Sequence, residues 1–169
     1  MRKLIFKGKA WIFGDKIDTD VITSGKYLSL GMEEMSKHAL ETVNPRFAKE
    51  VRSGDIIVAR DNFGCGSSRE TAPAVLKYLG IGAIVAQSFA RIFFRNALAI
   101  GLPVLSCNGV VHGVKDGEEI SVDFEETSIS NLTTGVFWKA NQLSQDMLKV
   151  LQGGGIVPLM KKMVENRSR

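Results

Sequence analysis

Hydrophobic residues in the middle of the chain form a repeating order of buried strands and amphipathic helices. Continuous apolar runs predict strands that are buried on both faces. Helical patterns separate these runs, and each helical pattern ends at a glycine, Gly80 or Gly101. Parallel strands joined by such helices predict an α/β fold with a ligand site outside the carboxyl ends of the strands. The predicted elements are strands at 55–59, 82–86 and 102–105 and helices at 71–79 and 90–100.

The segments on either side of this region have different patterns. Residues 3–13 and 120–138 alternate partly between apolar and polar residues, which is typical of strands with one face toward solvent. Gly8 interrupts the first alternation and predicts either a pair of strands or one bent strand. The second alternation predicts an antiparallel addition to the sheet. The remaining predicted elements are a loop at 14–20 and helices at 32–41, 143–151 and 158–165.

Composition favours one ordinary globular domain over residues 1–169. Of the 169 residues, 44% are apolar and 24% are charged, which excludes disordered, collagen-like and coiled-coil classes. The net charge of +4, with basic residues near both ends, favours a solvated surface over a nucleic-acid partner. No apolar stretch is long enough for a signal peptide or a membrane span. Two cysteines are too few for a disulfide framework, so we expect a cytoplasmic protein.

The glycine-rich segment from Gly64 to Glu70 is the strongest candidate for chemistry. Its two glycines allow a sharp turn and close approach of a ligand, and the helix that follows would point free N–H groups toward an anion. Ser67, Ser68 and Arg69 add donors, and a guanidinium can hold a carboxylate through two parallel hydrogen bonds. The segment matches neither the Walker sequence nor the dinucleotide fingerprint. A simpler alternative is that Ser67 and Glu70 only cap the helix.

Other polar residues have simpler explanations than catalysis. Asp18 and Asp20 could bind a metal ion as a pair, but no histidine or third carboxylate is near them in sequence, so a hydrogen-bonded loop is the simpler hypothesis. Cys65 lies beside the candidate anion site, where we expect an exposed and oxidisable thiol. The remaining candidates are Cys107, expected in the core; His38 and His112, which suggest no catalytic triad; and Arg91 with Arg95, which either pair with a partner or face solvent.

Four motifs occur in order along the chain. They are GDKIDTD at 14–20 followed by Ile22, YL at 27–28, NFGCGSSRE at 62–70, and QSFARIF at 87–93 followed by Arg95 and Asn96. Together they resemble the small subunits of 3-isopropylmalate dehydratases and the aconitase swivel-domain family as a whole. The resemblance covers about residues 5–165, and four ordered motifs at matching intervals are far more specific than any one of them.

This resemblance implies a three-layer β/β/α swivel domain with a parallel sheet at its centre. It also implies a hydro-lyase that dehydrates and rehydrates a 2-hydroxy di- or tricarboxylate across adjacent carbons. In the family, a [4Fe–4S] cluster acts as Lewis acid, and its cysteine ligands reside in a separate large subunit. The chain is therefore expected to hold no metal itself and to be active only with a cluster-bearing large subunit, in a heterodimer or heterotetramer.

The resemblance also assigns roles to individual residues. Ser67 matches the family's general base, which removes a proton from the carbon next to a carboxylate, and Asp20 matches the aspartate of the first active-site loop. Because a serine hydroxyl is a very weak acid, nearby amides, Arg69 and the exclusion of water would all have to stabilise its anion. The remaining matches are Ser68 and Arg69, which bind that carboxylate, and Asp18 and Thr19, which support Asp20.

The loop from Ser24 to Leu30, which contains Tyr27, is expected to set substrate selectivity. In related homoaconitase-type subunits an arginine follows the Tyr-Leu pair and receives an extra carboxylate, whereas Ser29 and Leu30 stand at this place here. A third carboxylate would be buried without a partner, which favours the interconversion of 2- and 3-isopropylmalate, a step of leucine biosynthesis. A methyl substituent, as in dimethylmalate or citramalate, would also fit, and Lys26 could reach inward. A stand-alone, non-catalytic anion-binding module is the alternative outside the enzymes.

Overall fold

The computed structural model describes residues 2–169, which form a seven-stranded mixed sheet with helices packed against it. The strands are β1 (Ile5–Ile12), β2 (Ile56–Ala59), β3 (Ala83–Ala86), β4 (Val104–Ser106), β5 (Glu119–Asp123), β6 (Ser128–Asn131) and β7 (Phe137–Lys139). The helices are α1 (Thr19–Ile22), α2 (Met32–Ser36), α3 (Phe47–Glu50), α4 (Thr71–Tyr78), α5 (Arg91–Ala99), α6 (Gln145–Gln152) and α7 (Ile156–Arg167). None of the helices within residues 2–169 is long and apolar enough to cross a membrane.

The sheet has a parallel half and an antiparallel half that share one strand. Its order is β4-β3-β2-β1-β5-β6-β7, in which β1 to β4 pair in parallel and β1, β5, β6 and β7 pair antiparallel. Strands β2 and β3 are buried along their whole length, as their continuous apolar sequences predict. Because the parallel strands follow in sequence order with right-handed crossovers, α4 and α5 lie on the same face of the sheet. The α/β class with a parallel sheet at its centre is confirmed.

Strand β1 is one continuous strand, so of the two predicted alternatives the pair of strands is wrong and the single strand through Gly8 is confirmed. Gly8 pairs with Ile120 in the antiparallel half, and three residues later Trp11 pairs with Ile57 in the parallel half. A Cβ atom at Gly8 would lie 2.1 Å from the carbonyl oxygen of Gly54. The glycine is therefore needed because another segment approaches the strand closely, and not because the chain turns there.

Several helix boundaries differ from the predicted ones. The helix predicted at 32–41 ends at Ser36, whose hydroxyl donates to Glu33 O at 2.7 Å, and the chain then turns through Leu40 with a φ of +56°. The loop predicted to run to residue 20 ends earlier, since α1 begins at Thr19. The last helix begins two residues before Pro158, a place in the first turn where a proline costs no intrahelical hydrogen bond.

Candidate active site

Three loops meet at the carboxyl ends of the parallel strands β1, β2 and β3, as expected for this class of sheet. The loop after β2 lies in the middle, and backbone hydrogen bonds hold it on both sides. The Gly64 N–H donates to Ile17 O at 2.7 Å, and the Ala90 N–H donates to Phe63 O at 2.9 Å. Backbone hydrogen bonds to the loops on both sides therefore fix the path of this loop at Phe63 and Gly64.

Both glycines of this loop occupy the left-handed region, with φ values of +81° at Gly64 and +93° at Gly66. A Cβ atom at Gly64 would lie 2.1 Å from Cγ of Phe93, in the first turn of α5. The absence of a side chain thus lets the loop and α5 pack directly against each other. This close packing fixes the position of the loop at Gly64, three residues before Ser67.

Ser67 is exposed, with its side chain at the surface formed by these loops. The hydroxyl of buried Thr19 donates to Ser67 O at 2.8 Å and lies 3.5 Å from Ser67 Oγ. Since the Thr19 proton is used on the carbonyl, its oxygen can only accept from the Ser67 hydroxyl. Thr19 therefore helps to orient Ser67.

Arg69 joins this loop to the loop after β1. Its Nη1 donates to Asp20 Oδ1 at 2.7 Å and to Thr23 O at 2.8 Å. The same Asp20 oxygen accepts from the Gly25 N–H at 2.9 Å. These two hydrogen bonds, the backbone one first, lower the pKa of Asp20 below its ordinary value, so the carboxylate stays charged. The other guanidinium nitrogens of Arg69 have no hydrogen-bond partner among residues 2–169, so they are available to a ligand.

A cavity of about 210 Å³ lies between the glycine-rich loop and the first turn of α5. Its walls combine the predicted polar residues with an apolar side contributed by the helix. A carboxylate with a small alkyl substituent matches both the size and the mixed lining of this space. The lining residues are Thr19, Gly64, Gly66, Ser67, Ser68, Arg69, Ala90, Arg91, Ile92, Phe93 and Asn96.

The helix that contributes its N-terminus to this cavity is α5 and not α4. Helix α4 begins only at Thr71, and Glu70 before it has a helical backbone and no capping side chain. The alternative in which Ser67 and Glu70 cap the helix is therefore wrong, as is the expectation that the start of α4 faces the site. The residues Arg91 to Phe93 line the cavity, and N–H groups in a first helical turn have no intrahelical acceptor.

A larger hollow of about 600 Å³ lies beside α3, but it contains none of the residues predicted to act. Its lining includes Lys9, Arg46 and Asp116, while its most buried carboxylate, Asp55, is already bonded to the Trp11 indole N–H at 2.9 Å. Unlike this larger hollow, the smaller cavity brings together a serine hydroxyl, a guanidinium and the start of a helix. The chemistry is therefore better assigned there than to the larger hollow.

The residues predicted for selectivity lie outside the walls of this cavity. Ser29 and Leu30 are exposed, and Tyr27 turns its hydroxyl away to donate to Glu41 Oε1 at 2.8 Å. Asp18 caps helix α1, with Oδ1 accepting from the Val21 N–H at 2.8 Å. The structure thus brings Thr19, Ser67, Ser68 and Arg69 together, joins Asp20 to them through Arg69, and keeps the loop of residues 24–30 at the periphery.

Neither cysteine is placed for metal binding. Cys107 is buried, which confirms its predicted place in the core, and burial raises the pKa of its thiol. Cys65 is half-buried rather than exposed as expected, and burial, followed by the charge of Asp18, raises the pKa of this thiol as well. Within residues 2–169, no three His, Cys, Asp or Glu side chains are grouped so as to hold a metal ion. The residues of this chain therefore do not fit an iron–sulfur cluster.

Sequence reasoning did not place α5 residues in the site. Arg91, Ile92 and Asn96 all line the cavity, although Arg91 was expected only to pair with a partner or to face solvent. The available signal was their occurrence in the motif at 87–93 and just after it. Nothing in the helix pattern itself distinguishes these residues from an ordinary exposed face.

Comparisons with known proteins identify the family and the fold of this chain. Residues 17–108 match the family model of the aconitase C-terminal domain. The 3-isopropylmalate dehydratase small subunit 1 of Archaeoglobus fulgidus is 51% identical over 94% of this chain and 98% of its own length. The isopropylmalate/citramalate isomerase small subunit of Methanocaldococcus jannaschii is 46% identical over 99% of this chain and 100% of its own. A crystal structure of 3-isopropylmalate dehydratase from M. jannaschii has a TM-score of 0.91 and 39% identity, and covers 97% of this chain and 98% of that one.

Proposed function

Because this chain belongs to the aconitase family, among the small subunits of the 3-isopropylmalate dehydratases, we propose that it is the small subunit of a hydro-lyase. The enzyme interconverts 2- and 3-isopropylmalate through 2-isopropylmaleate. The whole chain acts as one swivel domain in the cytoplasm and works with a cluster-bearing large subunit. One observation carries the proposal: the Ser67 hydroxyl is exposed at a cavity that Arg69 also lines, so a base and a carboxylate binder face the same space.

Ser67 is the group that removes the proton from the carbon next to the bound carboxylate. In the neutral state its hydrogen is directed toward Thr19 Oγ1, 3.5 Å away, and because Ser67 is exposed this proton can leave to solvent; the resulting alkoxide then takes the substrate proton and becomes a hydroxyl again. The serine becomes a useful base only when its anion is stabilised, and the positive charge of Arg69 and the first-turn amides of α5 both favour the anion. Docking of the large subunit would remove water and strengthen both effects.

Arg69 and Ser68 hold the substrate carboxylate next to this base. Nη1 of Arg69 is fixed by Asp20 and by Thr23 O, so the guanidinium is oriented before substrate arrives. Its remaining nitrogens can donate two parallel hydrogen bonds to a carboxylate. Asp20 acts here by orienting Arg69, and through its bond to the Gly25 N–H it also ties the selectivity loop to the site.

The Lewis-acid part of the reaction belongs to the partner. Dehydratases of this family use an iron–sulfur cluster in the large subunit, and the ligands for it are not found in residues 2–169 of this chain. The present chain therefore supplies the base and the carboxylate cradle, and catalysis requires both polypeptides.

The substrate is an alkyl-substituted dicarboxylate. Ser29 and Leu30 lie at the periphery of the cavity and carry no charge, so once the large subunit covers them a third carboxylate facing them would lose its hydration without gaining a partner. This favours an isopropyl group and disfavours homocitrate or homoaconitate. The methyl groups of dimethylmalate and citramalate are the second candidates, and the relative in M. jannaschii named for both isopropylmalate and citramalate supports keeping them.

Reconstitution with a cluster-loaded large subunit tests this function. The wild-type pair should isomerise 3-isopropylmalate and reject homocitrate, and Ser67→Ala should lower kcat at least about a hundredfold while the two subunits still co-elute. The matched control is Ser53→Ala, an exposed serine before β2 at the opposite end of the parallel strands. Turnover retained in Ser67→Ala would remove Ser67 from the base role. A chain that never associates with a large subunit would favour the non-catalytic module.

A further inference from the structure

A cluster of three side chains lies behind the selectivity loop. Glu41 Oε1 accepts from the Tyr27 hydroxyl at 2.8 Å, and Glu41 Oε2 lies 2.8 Å from Nδ1 of His38. The Tyr27 and His38 rings are stacked, with centroids 3.9 Å apart and an interplanar angle of 12°. Each member of the cluster therefore contacts both of the others, and one carboxylate uses both of its oxygens to do so.

The loop that this cluster holds is otherwise poorly attached. Lys26, Leu28, Ser29, Leu30 and Gly31 are all exposed, and Tyr27 is the only half-buried residue among positions 25–31. Apart from turns within the loop, its hydrogen bonds to the rest of residues 2–169 are those of the Gly25 N–H to Asp20, of the Tyr27 hydroxyl to Glu41 and of the Met35 N–H to Gly31 O at the start of α2. Tyr27 is thus the side-chain anchor nearest to Ser29 and Leu30, and the backbone bond at Gly31 holds only the far end of the loop.

The platform beneath the anchor is rigid. Leu40, next to Glu41, is fully buried, and its N–H donates to Ile22 O at 3.2 Å in the loop region after β1. The Asn44 N–H donates to Leu40 O at 2.9 Å. Glu41 therefore follows directly on the packed body of the protein, and Tyr27 couples the exposed loop to that body.

We propose that Glu41 and His38 are positioning residues for substrate selectivity, which act by holding Tyr27 and through it Ser29 and Leu30. This inference rests on the proposed function, because it concerns the loop that would face the substrate's alkyl group. Neither residue lines the cavity, and neither is part of the four sequence motifs. Tyr27 itself positions the loop with its ring and hydroxyl, rather than offering that hydroxyl to the substrate.

The test compares Glu41→Ala, Glu41→Gln and the control Glu34→Ala in the reconstituted enzyme. Glu34 is an exposed glutamate on α2 that pairs with Lys37, and within residues 2–169 its side chain makes no hydrogen bond to the loop. In Glu41→Ala we expect KM for 3-isopropylmalate to rise roughly tenfold, equivalent to about 1.4 kcal/mol, with kcat within about twofold of the wild type. The preference for isopropylmalate over citramalate should fall in proportion. Glu41→Gln can accept from Tyr27 and still bond to His38, so it should restore most of this preference.

Hydrogen exchange of the small subunit alone gives a readout that does not depend on activity. Amides of residues 25–31 should exchange faster in Glu41→Ala than in wild type, and not faster in Glu34→Ala. Faster exchange with an unchanged KM and substrate preference would overturn the inference, as would unchanged exchange. A lower yield of active enzyme with normal KM and preference would also overturn it, since a merely structural role predicts that result. If the wild-type pair turns over no alkylmalate, it is the proposed function that fails.

Discussion

Replacing Gly64 by alanine should separate backbone strain from steric conflict at the site. At φ +81°, the left-handed conformation of an alanine destabilises the folded state by about 1 kcal/mol. Its Cβ atom would also lie 2.1 Å from Cγ of Phe93, a buried ring that cannot move freely. Such overpacking adds about 1–3 kcal/mol. We therefore expect Gly64→Ala to lower the free energy of unfolding by about 3 kcal/mol in total.

Gly117 provides the matched control, because it has nearly the same φ, +83°, and no heavy atom within 4 Å of the position a Cβ would take. Gly117→Ala should therefore lose only about 1 kcal/mol. Urea denaturation measures both free energies, and thermal unfolding should show Tm lowered by roughly 6–12 °C for Gly64→Ala. In a Phe93→Ala background, which removes the ring but keeps the Phe93 Cβ that would lie 2.4 Å from the new atom, Gly64→Ala should cost less than in the wild type and still more than Gly117→Ala. Equal losses for Gly64→Ala and Gly117→Ala in the wild-type background would refute the assigned contact.

Three further predictions concern charged and titratable groups. Arg69→Lys should raise KM roughly tenfold in steady-state kinetics of the reconstituted enzyme. A lysine ammonium cannot pair with Asp20 and also donate two parallel hydrogen bonds to the substrate carboxylate. An unchanged KM would contradict this role of Arg69. The hydrogen bonds from His38 and Tyr27 lower the pKa of Glu41 in the folded state, so its stabilisation is present above its ordinary value of 4.5 and is lost as pH falls through the lowered pKa. The urea midpoints of unfolding of wild type and Glu41→Gln should therefore converge as the pH is lowered. A difference between the two midpoints that does not change with pH would contradict the stabilisation by charged Glu41. The raised pKa of Cys65 predicts slower alkylation than N-acetylcysteine at neutral pH, with Asp18→Asn faster than wild type; a rate equal to that of the free thiol would exclude this environment.

The parallel half of the fold was predictable because its sequence signals are local. Ile56–Ala59 and Ala83–Ala86 are apolar at every position, and Gly80 and Gly101 end the helices that follow or separate them. No local signal explains Gly8, since its role depends on the approach of Gly54, which is 46 positions away in the chain. A glycine that admits another segment has the same appearance in sequence as one that ends a strand.

The site was predictable in its residues but less so in its geometry. Ser67, Ser68 and Arg69 lie at one cavity, as the motif suggests, but the helix beside them is α5 rather than α4. Helix α4 begins at Thr71 with Glu70 as its N-cap residue, and not at Ser67 as the capping pattern suggests. The capping pattern gives no sign of this later start. The bond between Arg69 and Asp20, 49 positions apart, likewise depends on the meeting of two loops and not on either loop's own sequence.

Because main-chain atoms hold the glycine-rich loop from both sides, its route through the protein is independent of most of the side chains it displays. The side chains at Cys65 or Ser68 can therefore be replaced while the Ser67 hydroxyl keeps its position, provided that Gly64 and Gly66 are kept. A redesign that seeks new substrates has freedom in the displayed groups and almost none in the strip of backbone that presents them.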